Sequence, residues 1–242
     1  MPIPNNVIAT ADDFGLSNSV NKAVLYSYEQ GIINSTSLLT NTAGFKEAAE
    51  FINQYSCIKN VGIHINLAEG KPLTNMSRTF LDNNGQWDTA KINSKLNLYT
   101  KQMSIAFEKE IHAQINKARA NNILLTHIDS HYHLHTLPGF YKLFIKTAKH
   151  FNLKLRLAQT FRENSYIKFL YRQYINYIIK KSKLNYSDNF QTVAHFLTII
   201  NNGRKPNGNI EIMLHPDLDQ TGKLTDHFDK DTMRNWLMFL KA

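Results

Sequence analysis

The sequence predicts an α/β fold with a mostly parallel sheet, arranged as a TIM-like (β/α) barrel, and three observations support this class. Its 242 residues suit one such domain covering residues 1–242. Short apolar runs alternate with amphipathic helical patterns along the chain. Acidic, basic and imidazole side chains repeatedly follow those apolar runs. In a parallel barrel these positions converge on one rim, where active sites are built.

The first part of the chain alternates strand and helix patterns. In chain order we predict a strand at 7–11, a helix at 18–30, a strand at 32–39, a helix at 45–55 and a strand at 61–67. Ser17 or Asn18 is a suitable N-cap for the first helix, and Gly31 follows its predicted end. The strands are runs of apolar and β-branched residues, whereas the second helix has apolar residues at helical spacing.

The alternation resumes after one long interruption. Residues 68–98 are rich in Gly, Asn, Asp and Pro, which predicts a long loop beside the site. The segments that follow are a helix at 107–121, a strand starting at Ile123, a helix opened by Pro138, a strand at 153–158, a helix at 165–181, a strand at 209–214 and a helix at 229–240. The segment 196–200 is compatible with either type of element.

The composition limits the class of protein. No window approaches the ~20 apolar residues of a transmembrane helix, and the N-terminal residues do not resemble a secretory signal. The single cysteine, Cys57, cannot form an internal disulfide and fits a cytoplasmic location. The net charge is +9, and its densest basic run, residues 172–183, is compatible with an amphipathic helix that touches a membrane or nucleic acid. We interpret that run as a solvated helix face and expect neither partner.

The densest group of metal-binding side chains lies in THIDSHYHLH, residues 126–135, directly after a predicted strand. Side chains alternate between faces along an extended backbone, so Asp129 and the histidines of this segment would share one face while the strand continues. These histidines are His127, His131, His133 and His135. Neutral imidazole is a common ligand of transition metals, and carboxylate often accompanies it. We therefore predict a metal site rather than a polar loop.

Polar side chains also end four other predicted strands. Asp12 and Asp13 follow the first strand, and His64 lies near the end of the third. Arg156 lies near the end of the predicted strand at 153–158, and His215 directly follows the predicted strand at 209–214. Agreement among five separate strand ends, including the histidine segment, indicates one shared site at the C-terminal rim of the barrel.

Four segments carry a resemblance to a known family. They are TADDFGLS at 10–17, VGIHINLAEGKPLT at 61–74, HIDSHYHLH at 127–135 and EIMLHP at 211–216. In this order they resemble the YdjC-like carbohydrate deacetylases, which include chitooligosaccharide deacetylases. The resemblance implies a distorted (β/α) barrel similar to that of the polysaccharide deacetylases. It also implies one divalent ion, Mg²⁺ or Zn²⁺, an acetylated oligosaccharide or amino-sugar substrate, and a homodimer.

The same resemblance implies roles for particular residues. Asp13, His64 and His131 would bind the metal, Asp12 would act as base, and His215 would act as general acid. The assignment of base and ligand within the aspartate pair follows the related polysaccharide deacetylases. Two residues depart from the family pattern, because Thr10 stands where asparagine is usual and Leu214 where cysteine is frequent.

Five further side chains are candidates for support of the site or for contact with substrate. Asp129 can orient a ligand imidazole through its second nitrogen. His133 and His135 fit either role, and Arg156 can pair with a buried carboxylate such as Asp12. Trp87, in the long predicted loop, can stack on a sugar face or hold the loop in place.

Two other functions fit parts of the pattern. A metal-dependent phosphoesterase would use a His-x-His segment and aspartates to hold two ions roughly 4 Å apart. The sequence offers few additional carboxylates at strand ends for a second ion. A non-catalytic sugar-binding barrel would retain the fold with a vestigial metal site, which the joint presence of all the candidate residues argues against.

Overall fold

The computed structural model describes residues 2–93, 100–204 and 207–242. Seven parallel strands form one curled sheet in which the first strand has a neighbour on each side, and an antiparallel hairpin follows near the C-terminus. The last part of the predicted long loop at 68–98 lies outside the described residues, because residues 94–99 are not among them. The fold is therefore the distorted α/β barrel that the sequence predicts.

The strands of the sheet and the hairpin have the following bounds. They are β1 (Val7–Phe14), β2 (Ser35–Leu38), β3 (Val61–Ile65), β4 (His127–Ser130), β5 (Lys154–Leu155), β6 (Asn189–Thr192), β7 (Ile210–Leu214), β8 (Pro216–Leu218) and β9 (Leu224–Asp226). The order across the sheet is β5-β4-β3-β2-β1-β7-β6. The carboxyl ends of β1, β3, β4 and β7 are therefore close together, which positions the site.

The helices pack around the sheet. They are α1 (Asn18–Glu29), α2 (Phe45–Gln54), α3 (Thr89–Asn93), α4 (Lys101–Ala120), α5 (Tyr141–Phe151), α6 (Tyr166–Lys181), α7 (Val193–Asn201) and α8 (Lys230–Lys241). Ser17 is the N-cap of α1, since its hydroxyl accepts the N–H of Val20 at 3.3 Å. No helix within the described ranges is long and apolar enough to cross a bilayer.

The two edges of the sheet approach each other without forming a regular ladder. The N–H of Leu155 donates to the carbonyl of Leu184 at 2.7 Å, and the N–H of Tyr186 donates to the carbonyl of Leu155 at 3.0 Å. Farther along, the N–H of Thr160 donates to the carbonyl of Phe190 at 3.0 Å. These bonds connect the region of β5 to β6 and give the barrel its irregular closure.

Several predicted elements differ from the observed ones. The second strand is shorter than predicted and begins at Ser35, while the ambiguous segment 196–200 belongs to helix α7. Strand β6 and the hairpin of β8 and β9 were not predicted, because their runs are only three or four residues long. Pro138 does not open a helix, since α5 begins at Tyr141.

The largest correction concerns the histidine segment. Strand β4 ends at Ser130, and residues His131–Thr136 form tight helical turns instead of extended backbone. Tyr132 and His133 have φ angles of 52° and 55°. The expected alternation of side chains therefore stops before His131, and the histidines do not share one strand face.

Candidate active site

The two adjacent aspartates reach the same site because the backbone of β1 is irregular there. Neighbouring side chains in a strand normally point to opposite faces. Asp13 has a φ of 65°, and the pairing of β1 with β2 shifts register between Ala11 and Phe14. Aspartate tolerates this left-handed conformation better than most residues. Asp12 and Asp13 are both buried, at 1% and 0% exposure.

Three of the predicted ligands meet at one point. Asp13 Oδ1 lies 2.8 Å from His131 Nδ1 and 3.3 Å from His64 Nε2. These side chains come from β1, β3 and the turn after β4, and each can contribute one atom to a common cation. Within the described residues, Asp13 Oδ1 and His131 Nε2 are buried and make no hydrogen bond of acceptable geometry.

Asp129 orients the imidazole of His64. His64 Nδ1 lies 2.8 Å from Asp129 Oδ1, and since an ionised carboxylate only accepts, the ring nitrogen donates. In the neutral ring, Nε2 then presents a lone pair toward Asp13 Oδ1. Two acceptors facing each other at 3.3 Å require a proton or a cation between them. The predicted role of Asp129 therefore agrees with this arrangement.

The surrounding carboxylates favour a positive charge where Asp13, His64 and His131 meet. Burial alone would lower the pKa of His64, but Asp129, Asp12 and Asp13 outweigh it and raise the pKa to about 10. Burial likewise opposes protonation of His131, whereas Asp13 and Glu69 raise its pKa. For Asp13, burial favours the neutral acid, yet its contacts with the neighbouring imidazoles lower the pKa well below the ordinary value.

Arg156 is fully buried and connects three carboxylates. Its guanidinium binds both oxygens of Asp12 at 2.7 Å, and Nη1 also lies 2.7 Å from Asp129 Oδ2. Its Nε donates to Glu211 Oε1 at 2.7 Å. The expected pairing of Arg156 with Asp12 is thus observed. Bidentate contact fixes the plane of the Asp12 carboxylate, which borders the cavity described below.

Glu211 was not singled out from the sequence. It lies on β7, at 0% exposure, and its Oε1 also accepts from the Thr10 hydroxyl at 3.2 Å. Burial raises the pKa of Glu211 to about 7, although Arg156 acts in the opposite direction. The sequence does contain a signal for Glu211. It stands between Ile210 and Ile212, and a carboxyl group is unusual in such an apolar strand.

His133 and His135 have different surroundings from His131. His133 borders the cavity, and burial followed by the charge of Arg156 lowers its pKa to about 3. His135 is buried behind the turn, where its Nδ1 lies 2.8 Å from the Ser130 hydroxyl. The same hydroxyl accepts the N–H of His135 at 2.8 Å, so Ser130 holds the turn together.

His127 is also separate from the cation point. It lies within the sheet at 0% exposure, stacked 3.9 Å from the ring of Tyr186. Burial lowers the pKa of His127 to about 4, so the ring is neutral near pH 7. Gly62 on β3 makes room for it, because a Cβ there would lie only 2.2 Å from His127 Nε2.

Two histidines from the C-terminal part of the chain approach from the other side. His215 borders the cavity, with its Nδ1 3.6 Å from Asp226 Oδ1. His227 was not predicted, and its Nε2 lies 3.1 Å from Asp13 Oδ2. Because a carboxylate can only accept, His227 donates to Oδ2 and leaves Oδ1 directed at the other imidazoles. The sequence signal was an isolated histidine after an unpredicted short strand.

A cavity of about 210 Å³ opens beside these side chains. Its border includes Asp12, His64, His131 and His215 among the predicted residues. Trp87 is absent from that border. Its side chain is 5% exposed and stacks on Phe107 at 6.1 Å, which holds the loop against α4.

The fold and the cluster together define an α/β barrel protein with a candidate cation site at the carboxyl ends of its parallel strands. The chain belongs to the YdjC-like protein family, whose family model matches residues 6–237. It is 32% identical to a carbohydrate deacetylase of Thermoanaerobacter pseudethanolicus over 212 residues, covering 87% of this chain and 80% of the relative.

A chitooligosaccharide deacetylase of Serratia marcescens is 33% identical over 158 residues, which are 62% of this chain and 58% of the relative. This chain spans 63%, 80% and 60% of the length of three carbohydrate deacetylases that it matches. Among solved structures, a putative cellobiose-phosphate cleavage protein of Enterococcus faecalis V583 superimposes with a TM-score of 0.70 at 22% identity. That alignment covers 89% of this chain and 82% of the other and establishes similarity of fold.

Proposed function

We propose that this protein is a metal-dependent deacetylase that removes the N-acetyl group from an acetylated amino sugar or oligosaccharide. The observation that carries the proposal is the meeting of Asp13, His64 and His131 beside a cavity that Asp12 and His215 also border. The names of the matching carbohydrate and chitooligosaccharide deacetylases support the substrate class.

The residues present fit a divalent ion. Two imidazoles and one carboxylate form a set that Zn²⁺ accepts in catalytic sites and that other divalent ions, including Mg²⁺, tolerate. The buried Asp13 Oδ1, which lacks a hydrogen-bond partner among the described residues, is consistent with a ligand that binds there. A bound divalent ion would polarise the acetyl carbonyl and make hydroxide accessible near neutral pH.

Asp12 is the proposed base. Its carboxylate borders the cavity, and each oxygen keeps one lone pair free after accepting from Arg156. The guanidinium keeps Asp12 oriented while it accepts a proton from the attacking water. General-base assistance of this kind contributes about 10²–10⁴-fold in rate.

His215 is the proposed acid. It borders the cavity from the position directly after β7, so a leaving nitrogen held there is accessible to its ring. The nearby Asp226 carboxylate lies 3.6 Å from Nδ1 and accepts the backbone N–H of His215 at 2.8 Å. Asp226 thereby positions the imidazole that protonates the departing amine, giving acetate and the free amino sugar.

The two-ion phosphoesterase is less well supported. Two other carboxylate–imidazole groups occur among the described residues, one containing Asp12 and Asp129 and the other Asp129 and Glu211. Arg156 lies within 2.7 Å of all three carboxylates and brings its own positive charge to them. A second cation at either group would have to compete with that guanidinium.

The test is acetate release from purified protein supplied with N-acetylglucosamine oligosaccharides. We expect acetate release, its loss after dialysis against a chelator, and its recovery with Zn²⁺ or Mg²⁺. Metal analysis of the active protein should give about one ion per chain, as three ligands at one point imply. Release of inorganic phosphate from phosphate esters, with no acetate from any acetylated glycan, would overturn the proposal.

Two further expectations belong to the same proposal. The family resemblance predicts a homodimer, which light scattering on the eluted protein measures directly. The sequence predicts a cytoplasmic location, which fractionation of the producing cells tests. Neither affects the chemistry proposed for the site.

A further inference from the structure

Two exposed aromatic rings stand at the mouth of the cavity. Tyr132 is 44% exposed and Phe228 is 53% exposed, and both border the cavity that holds Asp12 and His215. Among the large apolar side chains that are exposed within the described ranges, these two border it. They lie 96 positions apart in the sequence, so the fold alone brings them together.

The backbone holds Tyr132 in place before any ligand arrives. Tyr132 and His133 both have left-handed backbone angles, an uncommon pair for residues other than glycine. Such strain persists only where the surroundings enforce it, and it is concentrated at functional sites. The Tyr132 hydroxyl also donates to Glu69 Oε1 at 2.7 Å. The ring is thus anchored at its backbone and at its tip.

Phe228 is fixed by different contacts. Its ring packs against His215 at 4.4 Å and against His227 at 4.6 Å between centroids. Its backbone N–H donates to Asp226 Oδ1 at 3.1 Å, which is also the oxygen near His215. The position of Phe228 is therefore set by His215, which borders the cavity, together with Asp226 and His227.

The relative orientation of the rings decides what they can bind. Their centroids are 6.3 Å apart and their planes are inclined by 77°. A sandwich around a flat ligand needs two parallel faces about 7–8 Å apart, twice the contact distance between carbon atoms. The two rings form instead a corner, in which one presents its face and the other its edge.

We propose that Tyr132 and Phe228 form a stacking corner for the pyranose ring of the acetylated sugar. A pyranose has an apolar C–H face and a rim of hydroxyls. The electron-rich aromatic face attracts C–H groups, while the exposure of both rings to solvent leaves the hydroxyls in water. This assignment deepens the proposed function and rests on it. Trp87, for which the sequence left sugar stacking or support of the loop open, does not border the cavity, whereas these two residues do.

The corner would act by binding and orienting the sugar, not in bond cleavage. Phe228→Leu and Tyr132→Leu keep apolar volume and remove the ring. We expect KM for an N-acetylglucosamine disaccharide to rise about three- to tenfold in each, with kcat within about twofold, as expected for lost stacking. Tyr132→Phe keeps the ring and removes the bond to Glu69, so KM should stay close to that of the unaltered protein.

Tyr177→Leu is the matched control. Tyr177 is a 62% exposed aromatic on α6 outside the cavity border, so its loss should leave KM unchanged. Calorimetric titration with the glucosamine disaccharide, the expected product, gives a second readout that does not need turnover. Weakened binding in the two leucine variants, but not in Tyr177→Leu, supports the corner.

The outcomes separate the two proposals. Acetate release with KM unchanged in Phe228→Leu and Tyr132→Leu would overturn the corner and leave the deacetylase standing. Sugar binding that weakens in these variants, without acetate release by the unaltered protein, would overturn the deacetylase and keep the corner. An unaltered protein that neither binds the disaccharides nor releases acetate would overturn both.

Discussion

Two groups of histidines lie within one small region and experience opposite electrostatic environments. His64 and His131 contact Asp13, and carboxylates raise their pKa values against the effect of burial. His127 and His135 are buried and His133 is partly buried, and in these three burial lowers the pKa. Four of these five residues belong to the same ten-residue segment.

Contact with Asp13, and not the density of histidines, therefore marks the candidate cation site. Where Asp13 contacts an imidazole, as at His64 and His131, the site favours positive charge, whether a proton or a metal. Where the neighbours are Tyr186, Phe190 or Phe144, a neutral ring packs like an aromatic side chain. The four predictions below test this division, from the largest expected effect to the smallest.

Removing one histidine from each group should separate function from packing. His131→Ala removes a proposed ligand, so bound metal should be lost and acetate release should fall by at least about 10³-fold. His135→Ala, in the same turn, should retain the metal while lowering thermal stability. Elemental analysis and acetate release are the measurements, and equal metal loss in the two variants would abolish the distinction.

Arg156 compensates the charge of the buried carboxylates around the candidate cation site. Arg156→Met leaves the buried carboxyls of Asp12, Asp129 and Glu211 without their guanidinium, which should reduce the free energy of unfolding by about 3–5 kcal/mol. Arg172→Met is the control, because its pair with Glu163 at 3.2 Å is partly exposed and should contribute about 0–1 kcal/mol. Urea denaturation measures both, and similar losses would contradict a special role for Arg156.

The neutral state of His127 should make stability depend on pH. Its pKa is about 4 in the folded protein and ordinarily 6.5, so the unfolded chain binds the extra proton between these values. Stability should therefore fall as pH drops from 6.5 toward 4, by on the order of 3 kcal/mol from this residue. His127→Asn should show a shallower slope in urea denaturation across that range. Parallel slopes would show that His127 does not stay neutral when folded.

The space for His127 depends on Gly62. In Gly62→Ala the new Cβ would overlap the buried ring, which should cost about 1–3 kcal/mol of folding free energy. The cost should largely disappear in the background of His127→Ala, since the ring is then absent. A double-mutant cycle of thermal or urea unfolding measures this coupling. Additive effects would mean that the ring and the glycine are not in contact.

Much of the fold was accessible from the sequence because periodicity is a local property. The six predicted strands contain or overlap β1, β2, β3, β4, β5 and β7, and the parallel order follows from their alternation with helices. Strand β6 was missed because its four residues, NFQT, have no run long enough to show a period. The candidate site was located from polar residues at strand ends, a rule that depends on topology more than on exact bounds. The resemblance to the YdjC-like family then implied that Asp13, His64 and His131 are the ligands.

Local patterns in the sequence were enough to predict an α/β chain with aspartates and histidines at converging strand ends. Only the tertiary structure decided which imidazoles meet Asp13, that His227 joins them, and that Trp87 is buried while Tyr132 and Phe228 border the cavity. The physical reason is that ionisation and exposure depend on neighbours distant in the chain. Left-handed angles at Asp13 and Tyr132 redirect side chains in ways that no regular period encodes.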